Sequence, residues 1–422
     1  MLVSRGPRWS EWLVAALVGA ALLFASNLLV PPPDQVPAGH PERFAYMAQA
    51  PFAFDGQFPH RILWPLLAHV AGWFGLGPVG FSQTCSAALL AVVVWFARQR
   101  GAAWLAAGLI GGVVAASGAV LVYRPLACYS DPLSFALLLL TVHHAARPIA
   151  FWLLVFVGAL SHEFVFFFAP WLVWLRREAG GTWRGSATGL AGALLAYAGW
   201  RFLVKVLTPA AAPTASYDAL YYVLNNFWVP WLLPGLWALL LQVMLAEFGA
   251  SLALAVAAFR ARVQGTGGAV GALLFVGCLL SLEVLAYDVM RFASFAFVPV
   301  VLGGVVLANV RHGTWCLVAL LVAAVCGYAW DHPVAMQQGG RTFTRLAGEM
   351  MALVVPHVTE GSRVAFGDAL AAQRAAFAQQ ASTWLWIGAA LVAIVGVGLW
   401  LGKRLGQDRR DAGQSPSGSV SR

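Results

Sequence analysis

Seven carboxylates, Asp34, Glu42, Asp55, Asp131, Glu163, Asp218 and Asp288, fall beside the same end of successive apolar runs, and the arginines collect at the opposite ends. A carboxylate held at a membrane boundary carries a desolvation cost, so a one-sided set of them marks a reaction or binding chamber. Three of these groupings have spacing that suggests chemistry. Tyr129-Ser130-Asp131-Pro132 opens an apolar run. There Ser130 or Asp131 can serve as a helix N-cap with Pro132 at the first helical position, or Asp131 can face the chamber, and the two roles are compatible. Ser161-His162-Glu163 lies at the tip between LLVFVGAL and FVFFFAPWL. A charged pair in such surroundings is costly unless it is solvated, paired or used. Asp288 and Arg291 stand three residues apart before FASFAFVPVVL. That spacing shares one helical face and allows either an ion pair or a phosphate clamp by the planar guanidinium. His162, Glu163 and Asp131 also admit a divalent cation, although nothing in their spacing demands one. Arg61, Arg124, Arg201 and Lys205 are further cations on the carboxylate side, and Tyr46 and His60 can complete a polar rim.

The elements that must position these residues are membrane elements. The 422-residue chain is 60% hydrophobic and 10% charged, with mean hydropathy +0.76, against about 25% charged residues in soluble domains. The net charge of +9 belongs mostly to loops and to the segment from Lys403 to Arg410. Anionic lipid headgroups suffice to explain it, and nucleic acid is not needed. Five cysteines lie mostly inside apolar runs and show no CxxC or Cys/His ligand spacing, so they read as packing residues. No GxSxG, Walker-type loop, HExxH or dinucleotide fingerprint is present in a fitting context.

Hydropathy predicts an all-α, polytopic bundle of about twelve membrane segments, some short or broken. Arg5 and Arg8 before the first span, Trp12 to Val30, place the N-terminus in the cytoplasm. The segment 31–80 is then external and holds an interfacial helix over Arg61 to Phe74. Phe81 to Ala97 returns inward, and Ala102 to Val122 goes out as one run. Pro132 to Val142, Ile149 to Leu160 and Phe164 to Leu175 follow, each well short of the roughly 20 residues of a full span. Short helices leave polar connectors below headgroup level, which is tolerated only where they line a cavity or are buried in protein. Asp131 and Glu163 are therefore expected in a pocket that dips into the membrane. Further runs alternate to Thr383–Leu401, leaving both termini inside, with 1–402 as one transmembrane domain. Segment 331–381 reads as external amphipathic helices and 403–422 as a disordered cytoplasmic tail.

The stretch His40 to Gly72, HPERFAYMAQAPFAFDGQFPHRILWPLLAHVAG, resembles polytopic membrane glycosyltransferases of the GT-C type. The pattern is an acidic residue, a Tyr a few positions on, then Pro, a polar residue, Arg, a hydrophobic residue, Leu and Pro. Here these are Glu42, Tyr46, Pro59, Arg61, Leu63 and Pro65. The resemblance implies a GT-C-like fold and transfer of a sugar from a polyprenyl-phosphate donor to an acceptor on the external face of an inner membrane. It also implies a loop carboxylate as general base. Such a base speeds proton removal from the acceptor hydroxyl by roughly 10²-fold or more. The family usually has Asp there, and this chain offers Glu42, with Asp34 and Asp55 nearby. Asp131 and Glu163 would orient acceptor or metal, Arg291 with Arg61 would hold the donor phosphate, and Tyr46, His60, Arg124, His162 and Asp288 would complete the substrate-binding set. The competing readings are a non-enzymatic transporter or flippase and an envelope-assembly protein with the fold and no activity. A carrier predicts ionisable residues near mid-span and inverted repeats.

Overall fold

The computed structural model describes residues 9–36, 40–54, 58–124, 127–208, 244–245, 247–261, 268–286, 291, 293–326 and 381–413. Asp55, Asp218, Asp288 and residues 331–380 of the expected amphipathic segment lie outside them. The described residues contain helices and no strand. In chain order the helices are α1 (Trp9–Leu29), α2 (His40–Met47), α3 (Leu63–Gly72), α4 (Pro78–Gln99), α5 (Trp104–Ala115), α6 (Gly118–Leu121), α7 (Asp131–His143), α8 (Pro148–Ser161), α9 (Ala169–Glu178) and α10 (Trp183–Leu207). After them come α11 (Leu252–Arg260), α12 (Gly268–Ala286) and α13 (Phe297–Ala308), then α14 (Gly313–Cys326) and α15 (Ala381–Gly413). Short 3-10 turns, Glu163–Phe168 and Ser294–Ala296, precede α9 and α13.

Proline sets many of the starts and stops. Pro31 to Pro33 follow α1, where missing donors forbid continuation. Prolines occupy the first helical turn of α4, α7, α8 and α9, where the absent N–H costs nothing. Gly101, at φ +91°, ends α4 in the left-handed region and lets the chain turn at once into α5. Three of the described helices, α1, α4 and α10, are long and apolar enough to cross a membrane.

Side-chain contacts show that α1, α4 and α5 alternate in direction. At one end Gln99, closing α4, donates to Glu11 in the first turn of α1 at 2.8 Å, and Asn309, after α13, donates to the Arg100 carbonyl at 3.4 Å. At the other end Ser26 of α1 donates to Ala115 O of α5 at 3.2 Å. α1 lies against α4 closely enough that a Cβ on Gly19 would stand 2.7 Å from the Ala91 backbone nitrogen, as small-residue helix packing in lipid requires. The central core is aromatic. Phe135 of α7 meets Phe295 at 4.7 Å and Phe297 at 5.2 Å, and Phe168 meets Phe295 at 5.0 Å. These rings press the Ser294–Ala296 turn against the mouths of α7 and α8.

Two expectations are corrected here. The run Ala102 to Val122 is not one helix: it breaks after Ala115, and Ser117 turns its hydroxyl back to Val114 O at 2.8 Å. Gly118 begins the next turn, where a Cβ would stand 2.3 Å from a Glu247 carboxylate oxygen. The expected disordered tail is also overturned for residues 403–413, through which α15 continues. No proline interrupts the chain between Lys403 and Gly413, so the helix propagates past its apolar stretch. Residues 414–422 lie outside the described set.

Candidate functional site

The site forms where four separate elements meet at one end of the bundle. α7 begins at Asp131, while Ser130 makes no side-chain capping bond. The capping explanation is therefore unsupported, and the carboxylate is turned elsewhere. Asp131 is fully buried and takes both contacts from one nitrogen of Arg291, at 2.9 and 2.8 Å. Arg291 lies over the Tyr129 ring at 4.1 Å, and its carbonyl accepts from the Tyr123 hydroxyl at 3.2 Å. Ser134 donates to Ser161 Oγ at 2.8 Å and ties the start of α7 to the end of α8.

α8 stops because His162 is extended, φ −159° and ψ 128°, and the chain restarts as a 3-10 turn at Glu163. This break presents Glu163 sideways to Arg61, which stands just before α3. Arg61 forks the carboxylate, Nε to Oε2 at 2.8 Å and Nη2 to Oε1 at 2.5 Å, the bidentate geometry that a planar guanidinium suits best. Its other face lies over Phe58 at 4.3 Å.

His162 stands between the two pairs. Its Nε2 faces Arg291 at 3.5 Å and its Nδ1 faces Glu163 at 3.7 Å. The Phe164 backbone N–H donates to His162 Nδ1 at 3.4 Å, so the backbone engages that lone pair and Glu163 is a close neighbour of the ring without a hydrogen bond to it. His60 Nε2 lies 3.6 Å from Glu163, beyond a hydrogen bond. Burial lowers the His60 pKa below its ordinary value, Arg61 and Arg201 add to that, and Glu163 offsets part of it. The result is a continuous polar line, Asp131, Arg291, His162, Glu163, Arg61, in an apolar bundle.

α2 covers this line. Its Phe44 ring is 6.3 Å from Tyr129 and 6.0 Å from Phe58, the two rings beneath the guanidiniums. Glu42 and Tyr46 lie one turn apart on the exposed face of α2, and Asp34 is exposed in the preceding loop. Among the described residues no hydrogen bond or ion pair joins Glu42 or Asp34 to the cluster. The expectation of a first-loop base in contact with Asp131 and Glu163 is corrected on that ground. The reason is the 3.6-residue period, which turns Glu42 to the side opposite Phe44.

Arg124 is a second correction. It is fully buried and donates to Ser26 Oγ at 3.1 Å and to Gln83 Oε1, so it braces α1 against α4. The divalent-cation set is a third. Among the described residues no three His, Cys, Asp or Glu side chains are grouped to hold a metal, and both carboxylates face guanidiniums. Asp288 lies outside the described residues.

Sequence reasoning had passed over Tyr197 and Trp200 of α10. Trp200 Nε1 donates to the His60 carbonyl at 2.9 Å, and Tyr197 packs on Phe166 at 5.3 Å. The available signal was a phenol four residues before Arg201 in an otherwise apolar helix.

Fold and site define an all-helical bundle with membrane-compatible helices and an ion-paired cluster at one end. Among models of known families, characterised proteins and solved structures, none matches the chain.

Proposed function

We propose that the chain is a multi-pass inner-membrane glycosyltransferase that moves a sugar from a polyprenyl-phosphate donor to an acceptor hydroxyl on the external face. The observation that carries the reading is the cluster itself, two carboxylates and two guanidiniums from four elements, assembled at helix mouths. A carrier is expected to hold its ionisable groups near mid-span. The His40–Gly72 motif supports the reading through Arg61, which belongs to both the motif and the cluster.

In this reading the arginines hold their own carboxylates until a phosphate arrives. A phosphate oxygen pair competes for the same donor fork as Glu163. Once Arg61 turns to the phosphate, Glu163 is released as base. The acceptor proton passes to Glu163 and the acceptor oxygen bonds the anomeric carbon. The bond from that carbon to the phosphate oxygen breaks, and its electron pair stays on the phosphate beside Arg61 and Arg291. Glu163 is preferred over Asp131 because its side chain is 27% exposed against 0%. Asp131 positions Arg291. Glu42 has no part in proton removal.

The test is transfer of labelled sugar from a polyprenyl-phosphate donor in membranes. Glu163→Gln is expected to lower transfer by about 10²-fold or more, while Glu42→Gln retains it. Full activity in Glu163→Gln would overturn the assignment.

A further inference from the structure

Tyr197 is 6% exposed, and among the described residues its hydroxyl has no hydrogen-bond partner. An unpartnered buried hydroxyl is a cost that folding alone does not explain. The ring is held by Phe166, three residues beyond Glu163, and the next turn of α10 is anchored by the Trp200 bond to His60. Glu163, Arg201 and Arg61 all lie within electrostatic reach of the hydroxyl.

Tyr197, Arg201 and Lys205 recur every four residues and form one polar stripe up the last turns of α10. Arg201 and Lys205 are exposed. Leu195, Phe202 and Val206 on the same helix are 72%, 70% and 63% exposed, an apolar face suited to lipid. So the stripe carries cations along the margin of a lipid-compatible surface and ends at a buried, unused donor beside the Glu163–Arg61 pair. Among the described residues Arg61 is matched by Glu163, and Arg201 and Lys205 add positive charge along the stripe that favours an anion.

We propose that Tyr197 and Arg201 form a subsite for the phosphate of a lipid-linked ligand that reaches the cluster laterally along α10. The phenol O–H donates to a phosphate oxygen, Arg201 neutralises it, and the chain of the ligand lies along Leu195, Phe202 and Val206. This rests on the glycosyltransferase reading for the identity of the ligand and adds its route and two of its binding residues.

The experiment uses the full-length protein in phosphatidylcholine nanodiscs, with polyprenyl monophosphate, the uncharged polyprenol and inorganic phosphate as probes. Loss of one hydrogen bond to a charged group predicts that Tyr197→Phe binds polyprenyl monophosphate about tenfold or more weakly. Arg201→Gln is expected to do the same, with polyprenol binding unchanged in both. Because Tyr197→Phe removes a hydroxyl with no partner among the described residues, its Tm stays equal or rises. A purely structural hydroxyl predicts a fall, and a fall without loss of affinity overturns the proposal. Wild-type affinity in Tyr197→Phe, alongside loss in Arg61→Gln, overturns the α10 subsite and leaves the transferase reading intact. No binding of polyprenyl monophosphate by the wild type overturns both. Competition by inorganic phosphate at concentrations equal to the lipid overturns the lipid route.

Discussion

The two ends of the bundle treat arginine differently. At the site end Arg291 and Arg61 meet carboxylates, one wholly buried and one partly so, with aromatic rings on their second faces. At the opposite end Arg98 lies over Trp104 at 4.6 Å and Arg177 over Trp183 at 4.7 Å. A cation over an exposed ring is worth about 0.5–1 kcal/mol and tolerates many partners. A buried ion pair holds two desolvated charges that are tolerable only together. The first arrangement suits any headgroup interface. The second is costly to build and therefore marks the part of the molecule with a specific task.

The comparison is sharpest at Asp131 and Arg291. Asp131→Asn removes the described carboxylate partner of the buried Arg291 and is expected to destabilise the protein by about 3–5 kcal/mol. Thermal unfolding in detergent checks this. The double substitution Asp131→Leu with Arg291→Met is expected to recover most of that stability and none of the transfer activity. Recovery of both would reduce the pair to a structural device and erase the contrast between the two ends.

Arg61 and Glu163 separate function from stability in the other direction. Arg61→Lys keeps the charge and loses the fork. Because Glu163 is partly exposed, the stability cost is expected to stay near 1 kcal/mol. Transfer is expected to fall by at least tenfold, since a lysine cannot hold a phosphate in the same bidentate geometry. Measuring Tm and transfer on the same preparation shows whether the two readouts part as predicted. Equal losses in both would make this pair resemble the Asp131–Arg291 pair.

The matching substitution at the far end is Arg177→Gln. It removes a cation from over Trp183 and is expected to cost no more than about 1 kcal/mol, with transfer unchanged. A large loss of transfer there would mean that both ends take part in the reaction.

This contrast was half legible in the sequence. Hydropathy and proline placement outlined α1, α3, α4, α7, α8 and α10, because a lipid-facing or core helix must be apolar and prolines mark its first turn. The broken character of the Asp131–Glu163 region followed from run lengths too short to span. What did not follow was which groups pair. Arg291 stands three residues from Asp288 in sequence, yet its described carboxylate partner is Asp131, 160 residues away. Such pairing is decided by the packing of Phe135, Phe168 and Phe295, which local spacing does not encode. The motif points to Glu42 as the base for the same reason. A motif aligns residues along the chain, and only the helical turn determines that Phe44 faces inward while Glu42 faces out. Tyr197 escaped notice because a single phenol in an apolar helix is indistinguishable from core until its hydroxyl proves to lack a partner among the described residues.

The smallest expected effect concerns His60, which adjoins the Glu163 pair. Its folded-state pKa lies below the ordinary value near 6.5, first through burial and then through Arg61 and Arg201, against the opposing pull of Glu163. The folded protein therefore holds the neutral imidazole, and the unfolded chain takes up a proton first as pH falls. Stability from this residue is complete above the unfolded value and declines as pH drops through it toward the lower folded value. His60→Gln is expected to flatten the dependence of Tm on pH in that window while leaving Tm near pH 8 almost unchanged. An undiminished acid slope in the variant would assign the titration elsewhere, with His162 the next group to substitute.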